Sequence, residues 1–219
     1  MKSLLAITSF LILLAASLSA AERFPKLDDT DWGWWRGPNH NGIAAASAQP
    51  PLTWDDNTNI RWQAEIPGRG HSSPTVVGDR VFLTTANEVK QTQHVLCFDR
   101  STGDVLWNKE IYQGNFDHNN NKNSFASSSV SCDGQQIYTS FFRDKKILTV
   151  ALTLKGKLVW EHVYGGFASH QGFGASPLLY KRMVILAADN KADGGGLLTA
   201  VDRQNGEILW ETPRPKCPN

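Results

Sequence analysis

The sequence predicts an all-β fold of four-stranded antiparallel blades stacked face to face. Three observations predict it. First, Gly103-Asp104-Val105-Leu106-Trp107 returns as Gly156-Lys157-Leu158-Val159-Trp160 and again as Gly206-Glu207-Ile208-Leu209-Trp210, with successive Trp residues 53 and 50 positions apart. A fixed period of this size marks a repeat architecture, in which no unit can bury its apolar surface alone. Second, short apolar runs are bounded by Gly, Asp, Asn and Ser turns, and no stretch follows a helical period. Third, eight Trp and eighteen Gly in 219 residues suit strands joined by many tight turns.

In chain order, residues 1–21 read as a signal peptide. Met1-Lys2 gives a positive start, Leu4 to Leu18 is almost continuously apolar, and Ser17-Leu18-Ser19-Ala20-Ala21 offers a small-residue cleavage site. The run is shorter than the about 20 apolar residues that span a bilayer. No transmembrane segment is expected after cleavage, and the protein is expected to be exported, periplasmic or extracellular. Without residues 1–21 the chain carries 21 basic and 21 acidic residues, and no Lys/Arg run occurs. That balance excludes a nucleic-acid or polybasic membrane-surface role, which needs clustered positive charge. Cys97, Cys132 and Cys217 are too few and too scattered for a disulfide framework or a metal site. Cys97 is expected to be a small buried strand residue.

Residues 22–60 form a leader rich in Pro, Asn, Asp and Trp, and residues 61–219 hold the repeats. Each unit opens on a Ser/Pro step. In the first, Ser72-Ser73-Pro74 precedes Thr75-Val76-Val77, Gly78-Asp79 makes a hairpin turn, and Arg80 to Thr85 and His94 to Asp99 are strands two and three. The middle unit runs Ser127 to Val130, Gln136 to Phe141 and Ile147 to Thr153. The last runs Leu178 to Tyr180, Met183 to Ala188 and Leu197 to Asp202. Asp99-Arg100-Ser101-Thr102-Gly103 and Asp202-Arg203-Gln204-Asn205-Gly206 are turns in which Asp bonds backbone amides and Gly takes positive φ. The Val-Leu-Trp, Leu-Val-Trp and Ile-Leu-Trp strands that follow are apolar on both sides, so both faces are expected to be covered by neighbouring blades. Each Trp fills the gap between blades, its indole N–H bonded to a neighbouring carbonyl. Trp62, Asp99, Gly103, Trp107, Gly156, Trp160, Asp202, Gly206 and Trp210 are thus the expected blade-docking residues.

On these residues the chain resembles the bacterial exported β-propellers with PQQ-like (pyrroloquinoline-quinone enzyme type) repeats. Their repeat carries a small residue, an acid two positions later, a turn ending in Thr-Gly, and a Trp four residues on. Cys97-Phe98-Asp99…Thr102-Gly103…Trp107 fits, and Ala200-Val201-Asp202…Asn205-Gly206…Trp210 fits with Asn for Thr. Ala151-Leu152-Thr153…Gly156…Trp160 departs, with Thr153 in the acid's place and a turn one residue shorter. The leader motif Trp32-Gly33-Trp34-Trp35-Arg36-Gly37-Pro38-Asn39 and Gly68-Arg69-Gly70-His71-Ser72-Ser73-Pro74 also look like this group. The resemblance implies a partial β-propeller of about three blades plus a closing strand, Ile60-Arg61-Trp62-Gln63-Ala64, which lies 45 residues before Trp107. Fourth-strand copies outnumber complete strand sets. The expectation is the N-terminal part of a longer, truncated propeller, and the rival is a half-propeller that closes by dimerisation.

Candidate chemistry is sparse. Arg69, His71, His118 and His170 fall in the loops that open the blades and gather at one mouth of a propeller. They could line a binding surface for protein or saccharide, or serve as solvated loop residues. Asp189 to Gly196 offers oxygen ligands but lacks calcium-loop spacing and a closing Glu, so it reads as a hairpin loop. Trp32, Trp34 and Trp35 could form an exposed aromatic patch, or lie under the leader as it crosses the blades. The family resemblance implies, as an alternative, a PQQ-dependent oxidoreductase with calcium, often with an adjacent Cys pair, which this sequence lacks. The leading expectation is a non-catalytic binding or scaffold module with no cofactor, no metal and no catalytic residue.

Overall fold

The computed structural model describes residues 27–114, 116, 120–166, 171–190 and 195–215. The proposed signal peptide, His118, His170 and Cys217 lie outside these residues. Among the described residues, twelve strands make three four-stranded antiparallel sheets in simple meander order. Blade 1 is β1 Thr75–Val77, β2 Arg80–Asn87, β3 Thr92–Asp99 and β4 Val105–Gln113. Blade 2 is β5 Ser131–Cys132, β6 Gln136–Arg143, β7 Lys146–Thr153 and β8 Leu158–Gly166. Blade 3 is β9 Leu178–Tyr180, β10 Met183–Asn190, β11 Gly195–Asp202 and β12 Ile208–Arg214. The fold is therefore all-β, as the sequence predicts, with first strands of blades 1 and 3 where expected. Blade 2 differs: its first strand is the short Ser131–Cys132 pair, and Ser127 to Val130 forms the loop before it.

Blade 2 buries its central strands on both faces. In β6 and β7, Ile137, Phe141, Leu148 and Val150 pack against Val77, Phe82, Val95 and Cys97 of blade 1. The alternate residues Tyr138, Phe142, Ile147 and Ala151 pack against Leu179, Val184, Leu186 and Val201 of blade 3. Strand geometry sends successive side chains to opposite faces, so a doubly covered strand is mostly apolar, and its polar members Thr139, Ser140 and Thr149 are buried and hydrogen-bonded.

The outer strands correct one expectation. Val105, Leu106, Leu158, Val159, Ile208 and Leu209 are exposed, so the apolar run before each Trp is not covered on both sides. These strands are the rim edges of their sheets. The doubly covered runs are the second and third strands of blades 1 and 2.

Each Trp lies directly across the ladder from the small residue of its repeat: Trp107 from Cys97, Trp160 from Ala151, Trp210 from Ala200. In all three blades the register shifts immediately beyond that pair. A bulge at this point re-aims the strand as it leaves the turn. The small residue leaves room for the indole on the shared face.

The leader ties the blades together along their first strands. Trp32 bridges Val76 of β1 through two backbone bonds of 2.7 and 3.0 Å. The Cys132 amide of β5 donates to the Gly33 carbonyl at 2.7 Å, and Asp31 accepts from the Gly78 amide at 2.8 Å. Trp34 packs against the core between blades 2 and 3. Residues 60–66 run extended over the free face of blade 1, with Trp62, Ala64 and Ile66 packed on Val81, Leu96 and Phe98. Among the described residues this segment pairs with no strand, so the closing strand is present in position and without a sheet of its own.

Candidate binding surface and blade-docking sites

The repeat tryptophans converge on one geometry. Trp62 Nε1 donates to the Arg100 carbonyl at 2.9 Å, Trp107 to the Leu154 carbonyl at 3.0 Å, and Trp160 to the Arg203 carbonyl at 2.8 Å. Each acceptor follows the acid or Thr of the neighbouring blade's turn. Each ring lies on that turn's glycine: a Cβ added to Gly103, Gly156 or Gly206 would meet Trp62, Trp107 or Trp160 at 2.6, 3.0 or 2.8 Å. The same glycines sit at φ of +79°, +79° and +75°, where a side chain is strained. Trp210 instead donates to Met183 Sδ within its own sheet.

The turns are held as their residues imply. Asp99 Oδ1 accepts from the Ser101 hydroxyl and from the Ser101 and Thr102 amides, and the Ser101 bonds lead in holding its carboxyl below the usual range. Asp202 accepts from the Gln204 amide at 2.9 Å and pairs with Arg182 at 2.7 Å. Thr153 closes the shorter middle turn by accepting from the Lys157 amide at 3.1 Å.

At the opposite end, the blade-opening loops bond to one another. The Arg69 backbone bridges Ala86, and its guanidinium donates to the Asn121 carbonyl at 2.8 Å. The His71 amide donates to Ala126, and its ring is exposed. Asn123 and Asn120 donate to the carbonyl and side chain of Gln171 at 2.6 and 3.1 Å. Arg69 and His71 therefore share a rim with the loop segments that flank His118 and His170. Beneath the rim runs a hydroxyl ladder that the sequence reading missed. The Ser73 amide donates to Ser129 Oγ and the Ser129 amide to Ser176 Oγ, both at 2.9 Å. Thr75 and Ser131 donate to the Val130 and Pro177 carbonyls, both at 2.6 Å. The Ser/Pro step of the first and last units and the Ser127–Ser129 run of the middle one are the sequence sign of this ladder.

A second missed feature is a buried ion pair between blades 2 and 3. Arg203 lies 3.5 Å from Asp133, with both side chains buried, and the Tyr138 hydroxyl donates to Asp133 at 2.9 Å. Burial, then the Asp133 charge, drives the Tyr138 hydroxyl far above its ordinary value. Cys97 and Cys132 are buried free thiols, each pushed up to about 12 by burial, which keeps them protonated and unreactive.

The remaining sequence candidates resolve differently. Asp189 and Asn190 pair with Gly196 and Gly195 as a hairpin, and the Asp189 carboxylate takes Arg214 at 2.8 Å. Trp32 and Trp34 are half-buried and Trp34 stacks on His40, whereas Trp35 is 60% exposed. Of the leader's four tryptophans, Trp32 and Trp34 are thus partly covered, and Trp35 and Trp54 are exposed. Among the described residues no group of three or more His, Cys, Asp or Glu converges as a metal would need. The three docked indoles are committed to blade turns.

Comparison with known proteins decides the family. The model of the family described as outer membrane protein assembly factor BamB matches residues 26–168 and again 92–219. The chain belongs to this PQQ-like repeat family. A curated relative, polyvinylalcohol dehydrogenase of a Pseudomonas species, is 27% identical over 207 residues, covering 87% of the chain and 30% of the relative. The chain therefore spans under a third of the length of that relative. A europium-containing methanol dehydrogenase structure aligns with TM-score 0.51 and 19% identity over 66% of the chain and 25% of its own. The quinohemoprotein alcohol dehydrogenase of Comamonas testosteroni aligns with TM-score 0.47 and 21% identity over 67% of the chain and 21% of its own. The methanol dehydrogenase likeness is one of fold.

Proposed function

We propose that this PQQ-like repeat region is an exported, non-catalytic binding and scaffold module, with protein or saccharide partners engaged at the blade-opening loops. The observation that carries the reading is the commitment of Trp62, Trp107 and Trp160 to neighbouring turns. The repeat's most conspicuous side chains are used to build a rigid stack, and the polar rim of Arg69, His71, Asn120 and Gln171 is what the stack presents. Loops on a rigid scaffold are the usual carriers of recognition.

A second reading, part of a PQQ-dependent oxidoreductase, is favoured by the 27% identity to polyvinylalcohol dehydrogenase. Titration with PQQ and calcium separates the two. Unchanged indole emission, together with loss of photocrosslinks to a partner when His71 is replaced by Ala, supports the scaffold. Saturable quenching with dye-linked alcohol oxidation overturns it.

A further inference from the structure

The leader turns back on itself between Trp34 and Gly42 and walls a small hollow against the first strands of blades 2 and 3. Backbone bonds set the turn. The Gly37 amide donates to Trp34, the His40 amide to Gly37 and the Gly42 amide to Arg36, at 2.9, 3.0 and 2.9 Å. Gly37, at φ +71°, lies so close to Trp32 that a Cβ would meet the indole at 2.7 Å. His40 takes φ +54°, in a region that favours glycine, and its ring stacks on Trp34 with centroids 4.8 Å and planes 6° apart. A non-glycine residue is held in that region only where its surroundings over-determine it, as they do at ligand clamps. The hollow measures about 120 Å³, and none of Arg69, His71, Asn120 and Gln171 lines it. It stands apart from the rim on which the proposed scaffold role rests.

The lining separates by chemistry. Trp34 and Trp35 supply aromatic surface, with Trp35 60% exposed, and Pro177 and Leu179 supply an apolar wall. The Arg36 guanidinium stands 5.8 Å from the centre of the Trp35 ring. It gives one long bond of 3.5 Å to the Asn41 carbonyl and pairs with no carboxylate among the described residues. Most of its five donors are therefore uncommitted. The Ser176 hydroxyl accepts from the Ser129 amide and keeps its own hydrogen to give, whereas the Ser131 hydroxyl is spent on the Pro177 carbonyl. No Asp, Glu, Asn or Gln side chain lines the hollow. A saccharide would bring a hydroxyl donor on nearly every ring carbon to a site poor in acceptors, and each unpaired donor costs free energy. A flat apolar ring bearing one anionic group matches instead. Its face stacks on an indole, and its oxygens take the planar fork of a guanidinium. We propose that this hollow is a binding site for a small aromatic carboxylate, with the ring on Trp35 and the carboxylate on Arg36, and with His40 and Ser176 as further donors.

The probe is benzoate, added to the full chain and followed by calorimetry and by the indole resonances of isotope-labelled tryptophan. Saturable binding at millimolar concentration, with a shift of the Trp35 resonance and weakening by added salt, is expected. Benzamide has the same shape without the charge and should bind at least tenfold more weakly. Benzoate should lose at least tenfold in affinity for Arg36→Gln and for Trp35→Ala, both exposed positions. His71→Ala, at the rim, should leave benzoate binding unchanged, so this site and the rim succeed or fail separately. Absence of saturation, equal affinity for benzamide, or full affinity in Arg36→Gln overturns the proposal. Glucuronate bound as tightly as benzoate also overturns it, because the site would then take a sugar acid. The benzamide and glucuronate comparisons use the unaltered chain, so they decide the matter even where a variant fails to fold.

Discussion

At the scale of single residues, the fold rests on a Trp–Gly contact made between blades. Trp160 is buried, donates to the Arg203 carbonyl and covers Gly206. Replacing a buried Trp by Ala costs about 3–5 kcal/mol, and Trp160→Ala is expected in that range in urea denaturation. Trp160→Phe keeps most of the contact area but leaves a buried carbonyl without that donor, a loss of about 1–3 kcal/mol. Gly206→Ala meets both the ring and a positive φ, so it destabilises, opposite in sign to the usual Gly→Ala gain in chain entropy. Trp210→Phe, at an exposed indole bonded to a thioether, should fall within about 0.5 kcal/mol of wild type. Equal losses at Trp160 and Trp210 would show that docking does not separate them. The Trp, the glycine and the neighbouring carbonyl were legible in the sequence, because spacing and turn chemistry leave few alternatives. The exposure of Val105 and Leu106 was not, because an apolar run looks the same at a rim as in a core.

At the scale of elements, the two blade junctions use different chemistry. Apolar side chains and the Cys97 and Cys132 thiols fill the junction between blades 1 and 2. The junction between blades 2 and 3 adds the buried Asp133–Arg203 pair and the Tyr138 hydroxyl. Removing one partner of a buried pair strands the other charge, at about 3–5 kcal/mol. Asp133→Asn is expected near that figure and Tyr138→Phe at about 1–3 kcal/mol. Their double variant should cost less than the sum, because both act through one carboxylate. An additive double-mutant cycle would refute the shared role. His162 on β8 adds a pH dependence. Burial holds its pKa below the ordinary 6.5, so the folded state prefers the neutral ring. As pH falls through 6.5 the unfolded chain takes up the proton first, and stability falls; above that value the effect vanishes. His162→Phe should flatten this part of the stability–pH curve, and an unchanged slope would assign it elsewhere. Sequence patterns could not expose this cluster. Asp133 and Arg203 lie 70 positions apart with no shared periodicity, and only stacking brings them together. The rim was half legible for the same reason: the blade-opening positions of Arg69 and His71 follow from the repeat, but the Asn123–Gln171 bridge joins two irregular loops.

At the scale of the whole molecule, stability in a stacked repeat is the sum of blade terms and nearest-neighbour interfaces. Blade 2 has two such interfaces. Blade 1 has one, with residues 60–66 over its other face. Blade 3 has one, and its far face is open along Leu178, Ile185 and Trp210. Local opening follows the weakest set of contacts. Native-state hydrogen exchange should therefore be slowest in β6 and β7, intermediate in β2 and β3, and fastest in β11 and β12. The leader sharpens the gradient, since its backbone bonds reach β1 and β5 but give blade 3 only the packing of Trp34. Disrupting the Asp31 to Gly78 contact with Asp31→Ala should speed exchange in β1 and β2 while leaving β11 and β12 unchanged. Uniform protection across the three blades would mean that the stack opens as one cooperative unit, and the nearest-neighbour account would fail. A gradient in the stated order would instead identify the Trp210 face as the least supported surface of the stack. Each interface of this kind buries a row of apolar side chains and seats one indole, and blade 3 is the described blade that lacks its second.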